Sequence, residues 1–230
     1  MSEHQGSSSA AVAKPKAVLF DLDGTFADTA PDLAYALNTL LQQQGLQKLD
    51  YDSIRPYVSK GAPGLIRLGF GLTSSDENYD TLRQQLLDIY AENLCQHTQL
   101  FDGISSVIEY CESNALPWGI ITNKPEFLTT PLVEQLGLSD RAATVISGDT
   151  FAERKPHPMP LLEASKAINI DPYDCWYIGD DKRDIDAAKA ANMTSIAALW
   201  GYFLDSDDPQ NWRADHYFKT AKDLAKALTA

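Results

Sequence analysis

The segment Asp21-Leu22-Asp23-Gly24-Thr25 follows directly on the apolar run Ala17-Val18-Leu19-Phe20. An uninterrupted apolar run of this length reads as a strand buried on both faces, and ligands of open α/β sheets bind at the carboxyl ends of such strands. Residues two apart on a strand point the same way, so Asp21 and Asp23 converge on one small substrate, while Gly24 lets the backbone turn away from it. Two carboxylates this close repel each other. A hard divalent cation with oxygen ligands, Mg²⁺ above all, relieves that repulsion.

Three further polar clusters follow later apolar runs. Residues 118–122 end in Thr122-Asn123, where a hydroxyl and a backbone N–H can bind a phosphoryl oxygen. After the run 143–147 comes Lys155-Pro156, in which the proline stiffens the loop and the lysine neutralises phosphate and nucleophile alike. Residues 175–178 lead into Gly179-Asp180-Asp181, with Asp184 close behind, and adjacent acids at a strand end are costly without a cation.

Residues 31–41 place Leu33, Ala34, Leu37, Leu40 and Leu41 at helical spacing. Helical patterns continue over 51–58, 62–68 and 75–95 with no strand between them. A helical block of that length cannot be a simple crossover and reads as an inserted domain. From residue 101 onward, strands alternate with helical patterns at 104–113, 126–135, 159–167 and 184–191. The expected fold is therefore α/β: a doubly wound parallel sheet of five or more strands, Rossmann-like, with an inserted all-helical cap. The expected divisions are a flexible tail over 1–14, a core of 15–29 and 98–230, and a cap of 30–97.

Composition excludes several classes. At 230 residues with 44% hydrophobic content the chain has enough material for a sizeable core. Its net charge of -13 argues against nucleic acid or an anionic membrane as partner. Cys95, Cys111 and Cys175 are scattered and odd in number, which suggests reduced thiols and neither a disulfide frame nor a zinc site. There is no signal-peptide pattern and no apolar stretch of roughly 18 to 20 residues, so the expected location is the cytoplasm. His97, His157 and His216 are isolated and read as loop or packing residues, and the sequence fixes no oligomeric state beyond allowing a monomer.

Taken in order, Asp21-x-Asp23-Gly24-Thr25, Thr122, Lys155-Pro156 and Gly179-Asp180-Asp181-x-x-Asp184 resemble the motif set of the haloacid dehalogenase superfamily of phosphohydrolases. The resemblance covers essentially the whole chain from Lys16, and the helical insert looks like the cap of the phosphoglycolate phosphatase branch. Several stretches are also similar to the N-acetylmuramic acid 6-phosphate phosphatases: Val58-Ser59-Lys60-Gly61-Ala62, Leu100-Phe101-Asp102-Gly103, Trp118 through Pro125, and Trp200-Gly201-Tyr202-Phe203 with Asp208-Pro209 and Trp212-Arg213-Ala214-Asp215. Two positions depart from these patterns: Phe26 stands where leucine is usual, and Pro63 where arginine often follows the cap turn.

The resemblance implies a Mg²⁺-dependent phosphomonoesterase acting on a small phosphorylated metabolite. Asp21 would be the nucleophile and Asp23 the acid and base. Thr122, Asn123 and Lys155 would hold the phosphoryl group. Asp21, the Asp23 carbonyl and Asp180 would hold the metal, and Asp181 and Asp184 would help hold it or its waters. Ser59, Lys60, Gly61 and Arg67 are the cap residues expected to meet substrate. N-acetylmuramic acid 6-phosphate is the preferred substrate and 2-phosphoglycolate the alternative, ahead of a sugar phosphate mutase or a non-catalytic phosphate-binding relative.

Overall fold

The structure, a computed structural model, describes residues 14–204 and 206–229. The loose tail expected over 1–14 lies, apart from Lys14, outside the described residues. At the centre is β1 (Ala17–Phe20), whose four side chains are fully buried. Alternation along the strand divides the core. Ala17 and Leu19 pack with α7 (Met159–Ala167) and α8 (Lys182–Ala190), while Val18 and Phe20 pack with α5 (Ile104–Ser113) and α9 (Ala221–Thr229). A strand covered on both faces has no use for a polar position, which is why β1 reads as a solid apolar run.

The remaining strands of the main sheet are β4 (Trp118–Ile121), β5 (Thr144–Ile146), β6 (Cys175–Gly179), β7 (Thr194–Ala198) and β8 (His216–Phe218). All pair in parallel in the order β5-β4-β1-β6-β7-β8. Chain order turns back at β1, so β1 and β6 flank the topological switch point where doubly wound sheets open a crevice. Asp21 and Asp180 lie just past the carboxyl ends of those two strands. The sixth strand, β8, comes from the segment at 215–218 that sequence periodicity leaves unassigned.

The chain leaves and re-enters the core through a two-stranded antiparallel ribbon of β2 (Ala27–Asp28) and β3 (Gln99–Leu100). Between them run α1 (Ala30–Gln43), α2 (Tyr51–Ile54), α3 (Gly61–Phe70) and α4 (Tyr79–Glu92). The single helix expected over 51–58 is instead α2 followed by a 3₁₀ turn at Arg55–Lys60, because Pro56 lacks the N–H that would continue the α ladder. Helix α4 starts at Tyr79, later than the expected 75, since Asp76 accepts hydrogen bonds from the Thr73 backbone and hydroxyl and ties that stretch into a turn. The departure at Phe26 has a packing reason: its buried ring stacks on Trp118 at 5.6 Å and meets Phe20 edge-on at 5.4 Å. The last core helix to be placed in chain order is α6 (Glu126–Gln135), directly after β4.

Candidate active site

Asp21 is held at the sheet by its own N–H, which donates to the Ile178 carbonyl on β6 at 2.8 Å. Lys155 Nζ stands 2.8 Å from Asp21 Oδ1 and 2.7 Å from Asp184 Oδ1, and donates hydrogen bonds to the Ile121 carbonyl and the Tyr177 hydroxyl. Burial works to lower the Lys155 pKa, but Asp184 and Asp21 outweigh it and raise the pKa above the ordinary lysine value. Asp21 Oδ1 is buried, and its partner there is the Lys155 ammonium.

Asp180 is almost completely buried. Its Oδ1 accepts from the Thr25 hydroxyl at 3.0 Å, and its Oδ2 from the Tyr202 N–H at 2.9 Å and the Ser59 hydroxyl at 2.6 Å. Two glycines make room for it. Gly24 has φ +85°, and a side chain there or at Gly201 would lie 2.2 Å from Asp180. Burial, then the charges of Asp21 and Asp184, push the Asp180 pKa well above normal, and burial likewise raises Asp184 to about 7.

Oxygens of Asp21, Asp180 and Asp184 lie within 4.8 Å of one another. Three hard oxygen donors gathered at one buried edge of the sheet, Asp180 and Asp184 with raised proton affinities, fit a divalent cation such as Mg²⁺. Replacing Gly201 by alanine is expected to weaken Mg²⁺ binding by roughly 10- to 100-fold, because the new methyl must displace Asp180. Calorimetric titration of the purified variant measures this, and unchanged affinity would remove Asp180 from the ligand set.

The structure does not bring Asp181 to this cluster. Its position as N-cap of α8 turns it toward Arg183, whose N–H and Nε donate at 2.9 and 2.8 Å, and toward Lys60 at 3.0 Å. Although burial opposes it, these cations hold the Asp181 carboxyl well below the usual range. Asp184, three residues on, accepts from the Asp181 N–H and faces inward. The Asp23 carboxylate is also outside the cluster: it accepts from Thr29 at 2.5 Å and from Lys124 at 2.9 Å.

Thr122 and Asn123 sit at the end of β4, and the Asn123 side chain donates to the Lys155 carbonyl at 2.9 Å, tying the two loops together. These residues form one wall of a cavity of about 360 Å³ with Asp21, Asp23, Lys124 and Lys155. The insert supplies another wall, including Ser59, Lys60, Gly61, Leu87 and Tyr90. Arg67 is not brought there: it is exposed and lines a separate recess with Tyr57, Gly64 and Leu204.

Lys124 is the residue that sequence reasoning misses. Buried under the Tyr90 ring, 4.5 Å from its centroid, it pairs directly with Asp23. Burial lowers its proton affinity, but Asp23 reverses that and raises the pKa above normal. Its only signal is position, one residue past the Thr122-Asn123 strand end.

A doubly wound sheet with a lysine-bridged carboxylate cluster at its switch point, overhung by a helical insert, places the ligand site of an α/β protein between sheet and insert. The family model for haloacid dehalogenase-like hydrolases matches residues 18–198, and the chain belongs to that family. It is 46% identical over 201 residues to a phosphoglycolate phosphatase of Xanthomonas campestris pv. campestris, covering 87% of this chain and 90% of the relative. It is 36% identical over 213 residues to an N-acetylmuramic acid 6-phosphate phosphatase of Pseudomonas putida, covering 93% and 96%. The crystal structure of a predicted phosphoglycolate phosphatase from Haemophilus somnus superposes with a TM-score of 0.80 at 24% identity, covering 92% of this chain and 96% of that one, and so shares its fold. Among the described residues no helix is long and apolar enough to cross a membrane.

Proposed function

We propose that this phosphatase of the haloacid dehalogenase superfamily is a Mg²⁺-dependent phosphomonoesterase working through an aspartyl phosphate on Asp21. The observation that carries this is the Asp21, Asp180 and Asp184 cluster bridged by buried Lys155. Asp21 attacks phosphorus and the ester oxygen leaves, which splits hydrolysis into two displacements. Lys155 offsets the repulsion between that carboxylate and the incoming phosphate dianion. Thr122 and the Asn123 N–H orient the phosphoryl oxygens. Asp23 gives its proton to the leaving alkoxide and later takes one from the attacking water; Lys124, 2.9 Å away, stabilises the carboxylate left by the first transfer. Mg²⁺ held by Asp21, Asp180 and Asp184 supplies further charge neutralisation when bound.

The helical insert over 30–97 acts as the cap that selects the leaving group, with Ser59, Lys60 and Gly61 nearest the site and the protein working on small metabolites in the cytoplasm. N-acetylmuramic acid 6-phosphate is the preferred substrate. A cavity of about 360 Å³ lies at the lower end of the roughly 300–1,000 Å³ usual for small-molecule sites and has room for more than a two-carbon acid. The reading of 2-phosphoglycolate as substrate is favoured instead by the 46% identity to proteins of that name. Hydrolysis of p-nitrophenyl phosphate is expected with Mg²⁺ and to fall at least about 100-fold with EDTA. A side-by-side kcat/KM measurement on the two substrates decides between them, and a clear preference for 2-phosphoglycolate would overturn the sugar phosphate.

A further inference from the structure

Helix α4 turns Arg83, Leu87 and Tyr90 toward the cavity that contains Asp21, the i, i+4, i+7 spacing of a single helix face. Leu87 and Tyr90 are buried and Arg83 is half-buried. The neighbouring cations are already neutralised: Lys124 by Asp23, Lys155 by Asp21 and Asp184, Lys60 by Asp181 and Asp207, and Arg183 by Asp181. Arg154 has no acidic partner among the described residues but is exposed to water. Among the described residues Arg83 therefore stands apart as a cavity-lining, half-buried guanidinium with neither ion pair nor hydrogen bond.

A guanidinium is always charged and presents a planar fork of donors that matches a carboxylate. Having lost part of its hydration at a cavity wall, Arg83 is completed by an anion. The phosphoryl group is not that anion, since it is taken by Thr122, Asn123 and Lys155. Tyr90 marks the reacting end of α4, because its ring contacts Lys124 beside Asp23. Arg83 is seven residues back, about 10 Å of helix rise, and helical side chains lean further toward the N-terminus.

We propose that Arg83 is a specificity-determining residue that takes a second anionic group of the substrate, a carboxylate about a sugar ring's width from the phosphoryl group. The substrate class is thus a phosphomonoester of an acidic sugar or a hydroxy acid of similar span, an assignment that rests on the phosphomonoesterase reading and deepens it. In 2-phosphoglycolate the carboxylate is one carbon from the ester oxygen, a span far shorter than the roughly 10 Å of helix rise from Tyr90 to Arg83.

The test uses two sugar phosphates that differ in one acid: N-acetylmuramic acid 6-phosphate carries a lactyl carboxylate and N-acetylglucosamine 6-phosphate does not. The wild-type chain is expected to have the higher kcat/KM on the acidic sugar. Arg83→Met is expected to reduce the ratio of the two kcat/KM values by roughly 10- to 150-fold, the worth of a charge-assisted hydrogen bond, with the loss in KM, and Arg83→Lys to keep part of the preference. A wild-type protein that turns over both sugars alike, or an Arg83→Met variant that loses both together, overturns the role of Arg83 and leaves the phosphatase reading intact. Absence of turnover on either sugar and on p-nitrophenyl phosphate overturns the phosphomonoesterase reading, and the role of Arg83 with it.

Discussion

Replacing Asp21 by asparagine is expected to lower turnover of any phosphomonoester by at least about 10⁴-fold and, at alkaline pH, to leave the fold no weaker. The amide is no nucleophile toward phosphorus, so the loss follows from chemistry alone. The unchanged stability follows from the charges around it. Asp21 repels Asp180 and Asp184, at oxygen separations of 4.8 Å or less, and attracts Lys155 at 2.8 Å. With an effective dielectric of 20, each repulsion between ionised carboxylates is about 3 to 4 kcal/mol and the attraction about 6, so at alkaline pH, where Asp180 and Asp184 give up the protons their raised pKa values retain, removing the charge leaves the metal-free protein no less stable. Lys155 still has Asp184 at 2.7 Å. Thermal melts in EDTA at alkaline pH should place the variant level with the wild type or above it, while the rise in Tm on adding Mg²⁺ should shrink. Acid-quenched wild-type enzyme should carry phosphate on the Asp21 peptide. Turnover within tenfold of wild type would end the assignment of Asp21 as nucleophile.

The sequence made the strand ends legible because buried parallel strands expose chemistry only where they stop. Asp21, Thr122 and Asp180 each follow an apolar run and each lies at the carboxyl edge of the observed sheet. Elements shorter than a pattern were not legible. The ribbon of β2 and β3 has two residues per strand, and β8 has three, none of which can display a period of two against background.

Pairings across long sequence separations were also hidden. The Ser59 hydroxyl reaches Asp180 and Lys124 reaches Asp23 over 121 and 101 residues. No local spacing encodes such contacts. The choice between Asp181 and Asp184 as the acid facing Asp21 needed the direction of a helix start: the N-cap carboxylate folds back on its own helix, and the one three residues later is free to face the cluster.

Lys155→Met tests the other half of that cluster, and is expected to cost about 3–5 kcal/mol of metal-free stability. The substitution keeps an unbranched side chain in a position only 3% exposed, so packing changes little. What changes is charge. Asp21 and Asp184 lose the cation between them, and three carboxylates remain in a buried site with no counterion. Unfolding in EDTA, followed by denaturant, should show the loss, equivalent to a fall of roughly 6–20 °C in Tm for a chain this size. The effect has a definite pH sign. In the folded wild type, burial and neighbouring acids hold Asp184 at about 7 against an ordinary value of 3.8. Between those values the folded state binds more protons than the unfolded state, so metal-free stability falls as pH rises. Lys155 is the influence that pulls Asp184 down, so its removal should steepen the decline and extend it above pH 7, making the variant's deficit smallest near pH 5. Mg²⁺ should recover part of the stability, because it neutralises the same oxygens, but not the turnover, since no group then stands against Asp21 as phosphate approaches. A variant as stable as wild type at pH 8 in EDTA would show that Lys155 does not balance this cluster.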